Sequence, residues 1–361
     1  MEHGSSPAVL VTGGAGYIGA HTAKALHERG FTPVVYDDLT SGFEAAVQWG
    51  PLVRGDIADG EALRGAMKAH RVCAVIHFAG LIEVGRSNIT PDLFWDVNVA
   101  GTRVLATAMQ ACGVDRLVFS SSAAVYGQGD RGPLDTIDEG DLKAPASPYG
   151  DTKLAAEWLI AAQCRAYGLR AVALRYFNAA GADASGLIGE AHEPESHLIP
   201  LAIAAALGDR EALTVFGADF ETPDGTGLRD YIHVTDLAAA HVAALEADLA
   251  PGAFEAINVG TGQGVSVLEI IDAVSKAVGR QTPYKLGARR QGDPASLVAS
   301  AARAAELLGW TPHHSSLDQI VADALRWERA PGYGAGARAR RMEAISSVSR
   351  SSDASCSTLA T

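Results

Sequence analysis

The chain has 361 residues, 48% of them apolar and 20% charged, enough for two domains or for one domain with a substantial lobe. A formal net charge of −13 argues against general nucleic-acid binding, which is driven by neutralising phosphates with Lys and Arg. No apolar run is long enough to cross a bilayer, and Met1 to Pro7 carries Glu2 and no basic region, so a cytoplasmic protein without a membrane partner is expected. Cys73, Cys112, Cys164 and Cys356 show no Cys-x-x-Cys spacing, and the first three lie in apolar segments, as reduced core cysteines do. Neither a disulfide framework nor a zinc site follows from them.

In chain order, short β-branched apolar runs at 8–12, 33–36, 74–78, 117–120 and 171–175 alternate with helical patterns at 18–29, 61–69, 94–111 and 148–167. That alternation predicts an α/β fold, a doubly wound parallel sheet covered by helices on both faces, with ligands beyond the C-terminal ends of the strands. After about Asn178 the pattern loosens into loops near 181–195 and 219–227, followed by helices such as 267–278. The expected organisation is a first domain over 8–178 to which some later segments return, and a smaller C-terminal α/β lobe over 179–330. A Gly, Ala and Ser-rich tail over 331–361 holds the basic cluster Arg338, Arg340 and Arg341 and is expected to be disordered.

Directly after the first predicted strand comes Gly13-Gly14-Ala15-Gly16-Tyr17-Ile18-Gly19. Glycines there permit a tight turn and a close approach of backbone to a pyrophosphate, and the helix that follows points its free N–H groups and positive dipole end at the same place. Asp37 ends the second strand, where a carboxylate accepts hydrogen bonds from a ribose diol and repels a 2′-phosphate; with Asp38 beside it and no Arg nearby, NAD is favoured over NADP. Asp56, after the third strand, is a further candidate for the adenine side.

In Ser147-Pro148-Tyr149-Gly150-Asp151-Thr152-Lys153, Tyr149 and Lys153 stand four residues apart at the start of a helix, on one face. A free phenol, with a pKa of about 10, is a poor base unless a nearby cation stabilises its phenolate, and Lys153 is placed to supply that charge. Ser122 closes the run Ser120-Ser121-Ser122 at the end of a strand, where its hydroxyl holds a substrate hydroxyl against Tyr149.

With these motifs the chain resembles the extended short-chain dehydrogenase/reductase family, and within it the UDP-hexose 4-epimerase branch. The resemblance runs from about Ala8 to Trp327 and includes Val75-Ile76-His77-Phe78-Ala79-Gly80, Ser120-Ser121-Ser122-Ala123-Ala124-Val125-Tyr126-Gly127 and Arg175-Tyr176-Phe177-Asn178. It continues through Gly227-Leu228-Arg229-Asp230-Tyr231-Ile232-His233-Val234 and Arg289-Arg290-Gln291-Gly292-Asp293. It implies a Rossmann-like NAD domain, a UDP-sugar lobe, a homodimer, and reversible inversion at C4 of UDP-glucose or UDP-galactose through a 4-keto sugar, with NAD kept bound. Tyr149, Lys153 and Ser122 are then the catalytic set. The cofactor residues it implies are Gly13, Gly16, Tyr17, Ile18, Gly19, Asp37, Asp38, Leu39, Thr40, Ser41, Gly42, Asp56, Ile57, Phe78, Ala79, Gly80, Leu81, Asn98 and Phe177. The substrate residues are Asn178, His197, Leu198, Phe216, Arg229, Arg290, Asp293 and Leu297.

Some positions depart from the family pattern: Ile82 stands where Lys is found near the cofactor phosphates, Val97 replaces the first of a common asparagine pair, and His197 takes a position often held by Asn. Leu297 stands where some members carry a large Tyr, which leaves room for an N-acetylated sugar. A 4,6-dehydratase would need proton-bearing groups just after Ser122, and Ala123 and Ala124 carry none. A 4-epimerase of UDP-xylose, UDP-glucuronate or UDP-N-acetylglucosamine, and a non-catalytic NAD-binding protein, are the remaining alternatives. The run His192-Glu193-Pro194-Glu195-Ser196-His197 does not suit a metal hydrolase, since histidines five apart diverge on a helix and Pro194 breaks one; a loop without metal is expected.

Overall fold

The computed structural model describes residues 6–127, 135–290 and 293–334; Gln291, Gly292, Cys356 and the tail arginines lie outside the described residues. In chain order the first part runs β1 (Ala8–Thr12), α1 (Tyr17–Glu28), β2 (Thr32–Asp37), β3 (Leu52–Arg54), α2 (Gly60–His70), β4 (Val72–His77), the short α3 (Val84–Ser87) and α4 (Pro91–Phe94), α5 (Gly101–Cys112), β5 (Arg116–Ser122), α6 (Pro148–Tyr167) and β6 (Arg170–Tyr176). There follow β7 (Asn178–Ala180), α7 (Leu198–Leu207), β8 (Leu213–Phe216), β9 (Leu228–His233), α8 (Val234–Glu246), β10 (Phe254–Val259), β11 (Gly264–Ser266), α9 (Val267–Val278), β12 (Tyr284–Gly287), β13 (Ser296–Leu297), α10 (Ala302–Leu308) and α11 (Leu317–Arg329).

The large sheet has seven strands in the order β10-β6-β5-β4-β1-β2-β3, every neighbour parallel. The chain winds outward from β1 to β3 and then crosses to β4, which leaves a switch point between β1 and β4 at the C-terminal edge. Alternation along the strands builds a core on each face. Ala8 and Leu10 face a cluster with Leu63, Met67, Leu105 and Ile160, while Val9 and Val11 face one with Leu26, Leu237, Ile257 and Trp310.

The helix expected over 94–111 is broken in kind: a π-helical turn, Trp95–Ala100, joins α4 to α5. Such turns widen a helix and are common at functional sites; this one carries Asn98. Two later elements belong to the first sheet: β10 lies along β6, and α8 packs on the face that holds Val9 and Val11. The second lobe is a small mixed sheet of β11-β9-β13 with β7 on β9, plus a β12-β8 pair. Its helices α7, α9 and α11 close around Ile203, Val215, Ile270, Val274, Ile320 and Leu325. Helix α9 starts with a reciprocal Ser266/Glu269 capping box, which explains why its limits were readable.

The structure corrects the sequence reading in two further places. Cys73 is exposed rather than in the core, because it stands near the start of β4. The first residues of the expected disordered tail are packed: Tyr333 is buried against Trp327 and Phe43, and its hydroxyl donates to Gly189 O at 2.9 Å. Among the described residues no helix is long and apolar enough to cross a membrane.

Candidate active site

The glycine loop joins β1 to α1 at the switch point. Gly13 has φ +70°, and a Cβ there would lie 2.6 Å from Ala79 N; one on Gly19 would lie 2.3 Å from Gly13 O. Both positions need the missing side chain for close backbone packing. No side chain caps α1 and its first turn has no acid, so its leading N–H groups face the cleft unpaired by the helix. These features fit the pyrophosphate of a dinucleotide.

Asp37 is buried, with Oδ2 accepting from Ala15 N at 3.0 Å and Oδ1 from Leu39 N at 2.9 Å. Burial raises its pKa while those two N–H bonds oppose the shift. Each oxygen keeps a lone pair for a ribose hydroxyl, but the carboxylate also ties the glycine loop to the segment after β2. Asp38 holds Thr40 N at 2.8 Å, Leu39 takes φ +62°, and a Cβ on Gly42 would press on Ala15 Cβ at 2.8 Å, so residues 38–42 wrap the glycine loop. Ser41 lies exposed on that wrap. Asp56 caps Ala58 N at 2.8 Å and Ile57 is buried under Gly101, further out along the same edge.

The Tyr17 hydroxyl is spent on Gly181 O at 2.7 Å, so Tyr17 and Ile18 contribute helix-start backbone rather than side-chain groups. Asn98 is bonded within the chain, with one Oδ1 lone pair left over. Its Oδ1 accepts from Leu81 N at 2.8 Å, and its Nδ2 donates to Leu81 O and to Thr152 Oγ1, both at 3.1 Å. It clamps the loop Phe78, Ala79, Gly80, Leu81 to α6, next to Lys153. A Cβ on Gly80 would lie 2.9 Å from Asn98 Oδ1 and 3.9 Å from Lys153 Nζ, so that loop passes close to the lysine.

Helix α6 is fixed at its start by Ser147, whose Oγ accepts from Gly150 N at 3.2 Å, with Pro148 in the first turn. This sets Tyr149 and Lys153 beside the end of β5. Burial pushes the Tyr149 phenol up, and its hydrogen bond with Ser122 works against that. Burial lowers Lys153 to about 8, opposed by the Glu157 carboxylate. Lys153 does not touch the phenol: its Nζ donates to Ser120 O at 2.8 Å and stands 5.8 Å from the centre of the Tyr149 ring. Its ammonium lies over the Tyr149 ring without bonding to the phenol. Sequence reasoning missed the support beneath, where Glu157 forms a bidentate pair with Arg175 at 2.9 and 2.5 Å and accepts from Ser121 Oγ at 2.5 Å. The available signal was spacing, since Glu157 is four residues past Lys153 on the same helix face.

The substrate candidates lie on and between elements of the second lobe. Asn178 opens β7, and Phe177 and Leu297 pack on one cluster with Tyr126 and Leu154 beside the catalytic helix. Arg229 on β9 is ion-paired to Asp293. The Arg290 guanidinium lies 4.1 Å over the Phe216 ring, covering the face expected to meet a base. His197 precedes α7, whose first residue is Leu198. Burial opposes a charge on His197, but the Glu190 carboxylate at 2.6 Å from Nδ1 outweighs it and raises the imidazole to about 11. Residues 192–197 form a loop, as expected, yet the loop brings together the two imidazoles that a helix would separate: their centroids are 5.1 Å apart.

A doubly wound sheet with a glycine loop at its switch point and a Ser–Tyr–Lys set at the neighbouring strand end is the form of an extended short-chain dehydrogenase/reductase. More narrowly, residues 9–260 match the NAD dependent epimerase/dehydratase family, and the chain belongs to that family. It is 48% identical over 328 residues to a UDP-glucose 4-epimerase of Rhizobium meliloti (strain 1021), covering 90% of this chain and 98% of that one. Among solved structures it is similar to the UDP-glucose 4-epimerase of Brucella ovis in complex with NAD, with TM-score 0.85, 48% identity, and 91% and 99% of the two chains covered. It also resembles the Bifidobacterium longum UDP-glucose 4-epimerase in complex with NAD+ and UDP, with TM-score 0.84, 36% identity, and 91% and 99% covered.

Proposed function

We propose that this chain is a UDP-glucose 4-epimerase, interconverting UDP-glucose and UDP-galactose through a transient 4-keto sugar with NAD retained in the site. The observation that carries this reading is the placement of Tyr149 and Lys153 in the first turns of α6 and of Ser122 at the end of β5, followed by Ala123 and Ala124, which offer no proton for expelling water. The named relatives at 48% identity support it along nearly their whole length.

Bound NAD would supply the chemistry of reversible hydride transfer at C4 of the sugar. The residues of the chain do the rest. The start of α1 and the glycine loop hold the pyrophosphate, and Asp37, with Asp38, accepts from ribose hydroxyls. Ser122 holds the sugar 4-hydroxyl against Tyr149 Oη, which takes the proton as C4 is oxidised and gives it back after the ketone has turned over. Lys153, cationic below about pH 8 and 5.8 Å from the centre of the Tyr149 ring, is placed to favour the phenolate. Arg229 and Arg290 supply the diphosphate with forked donors, Asp293 and Asn178 bind uridine hydroxyls and amide groups, and Phe216 packs against the base once Arg290 moves toward phosphate. His197 and Leu198 close the loop over the nucleotide. We assign the protein to the cytoplasm as a homodimer; the exposed Ile89, Leu93, Trp95 and Trp158 supply apolar surface for a second copy, to be checked by light scattering.

The test is to incubate the purified protein with UDP-galactose, adding no NAD, and to identify products by NMR. UDP-glucose is expected, and Tyr149→Phe should lower kcat by about 10²–10⁴-fold. A dehydrated or decarboxylated product, or full turnover by Tyr149→Phe, would contradict the assignment.

A further inference from the structure

We propose that Glu190, His192, Glu195 and His197 form a site for a divalent transition metal of the zinc class, which cross-links the segment between β7 and α7 to itself. One ligand atom from each of the four residues lies within 4.8 Å of all the others. His192 Nδ1 stands 3.0 Å from Glu190 Oε1, and His197 Nδ1 stands 2.6 Å from Glu190 Oε1 and 3.2 Å from Glu195 Oε1. Tetrahedral bonds of about 2.0–2.2 Å hold ligand atoms about 3.3–3.6 Å apart, so these donors reach zinc geometry with shifts of less than about 1 Å.

The donor set selects the ion. Two imidazoles and two carboxylates suit Zn²⁺ and its borderline neighbours, whereas Mg²⁺ and Ca²⁺ prefer oxygen-only shells. Two ionised carboxylates, both more than nine-tenths buried at the side chain, are neutralised in full by one dication with both imidazoles neutral.

The ligands sit on a fixed frame. Glu195 Oε1 accepts from Ser196 N and His197 N at 2.7 and 2.8 Å, and Glu190 O accepts from Trp327 Nε1 at 2.7 Å. Trp327 and Tyr333 in turn pack with Ile188 and Ala182 beneath the loop. The His192 ring meets Tyr17 edge-on with centroids 6.4 Å apart, and Tyr17 is bonded to Gly181 O. A metal here fixes the loop that carries His197 and Leu198, with the His192 ring held against Tyr17 at the start of α1. His197 coordinates through Nδ1, which leaves Nε2 clear of the metal. The proposal stands independently of the reaction assigned above.

The test uses the full chain stripped with EDTA and titrated calorimetrically with Zn²⁺, then with Co²⁺ as a visible reporter of tetrahedral coordination, and with Mg²⁺. The expected result is one Zn²⁺ per chain, a tetrahedral Co²⁺ spectrum, a raised Tm on binding, and negligible Mg²⁺ uptake. His192→Ala and Glu195→Gln should each weaken Zn²⁺ binding by at least about tenfold while leaving the metal-free far-UV spectrum unchanged. Absence of stoichiometric Zn²⁺ binding would show that the four groups are an ion-pair network and overturn the proposal. Binding that is equal in both variants, and so belongs to other residues such as Cys73, would overturn it as well.

Discussion

Replacing Arg175 by Met removes the partner of a carboxylate that the fold has buried. Glu157 and Arg175 are 2% and 4% exposed, and their two hydrogen bonds join α6 to β6 directly below the catalytic end of the helix. In Arg175→Met, Glu157 keeps only its bond from Ser121, and Tyr126 loses the N–H that Arg175 donates to its hydroxyl at 2.9 Å. Stranding a buried charge costs about 3–5 kcal/mol, and the surviving Ser121 bond puts this variant near the lower end. At roughly 2 °C per kcal/mol for a chain of this size, Tm should fall by roughly 6 °C. Urea unfolding followed by circular dichroism, with calorimetry alongside, measures both quantities. The double variant Arg175→Met/Glu157→Leu removes both charges and should recover at least about half of the loss, since an apolar pair in place of a buried ion pair is often close to neutral. A single-variant loss below about 1 kcal/mol, or a double variant no more stable than the single, would refute the reasoning.

The same double variant bears on pH. Lys153 is pushed down from 10.5 to about 8 by burial, and Glu157 opposes that shift, so its cation is present below about pH 8 and lost above. Without Glu157, the alkaline fall of kcat/KM should begin at lower pH; an unchanged profile would show that Lys153 does not set that limb. Gly19→Ala places a Cβ 2.3 Å from Gly13 O and 2.7 Å from Gly14 Cα, both backbone atoms that cannot yield cheaply. That variant should purify without NAD, measured by cofactor content after denaturation, and equal content to the parent would contradict the cradle. Leu297 is partly buried with Phe177 against Tyr126 and Leu154, where a Tyr would fill more volume. Leu297→Tyr should cut turnover of UDP-N-acetylgalactosamine by at least about tenfold while UDP-galactose changes less; equal rejection by parent and variant would count against Leu297 as the determinant.

Much of the first lobe was legible because its signals are local. Buried strands are short apolar runs, the glycine loop has one steric explanation, and Ser147-Pro148 marks the start of α6 in sequence. The second lobe was less legible because its order depends on distant pairing: β10 finds β6 across the intervening residues, and β7 and β13 are only three and two residues long. At the site, the identities of Tyr149, Lys153 and Ser122 were readable, but not the fact that Lys153 bonds to Ser120 O instead of the phenol. Asn98 was readable as a polar residue near the cofactor, yet its work of clamping Leu81 to Thr152 depends on a π-helical turn that periodicity does not reveal. At His192 to His197 the loop was read from the sequence, but not the meeting of the two imidazoles. Helix geometry separates those imidazoles, and loop geometry, which spacing cannot supply, joins them.

The central claim is that C4 is oxidised and reduced within one closed site, with Tyr149 moving the hydroxyl proton. It is tested most directly with UDP-galactose carrying deuterium at C4, turned over by the NAD-loaded protein in ordinary water. The account predicts UDP-glucose with the deuterium still at C4. Loss of the label to solvent, or its appearance at another carbon, would contradict it.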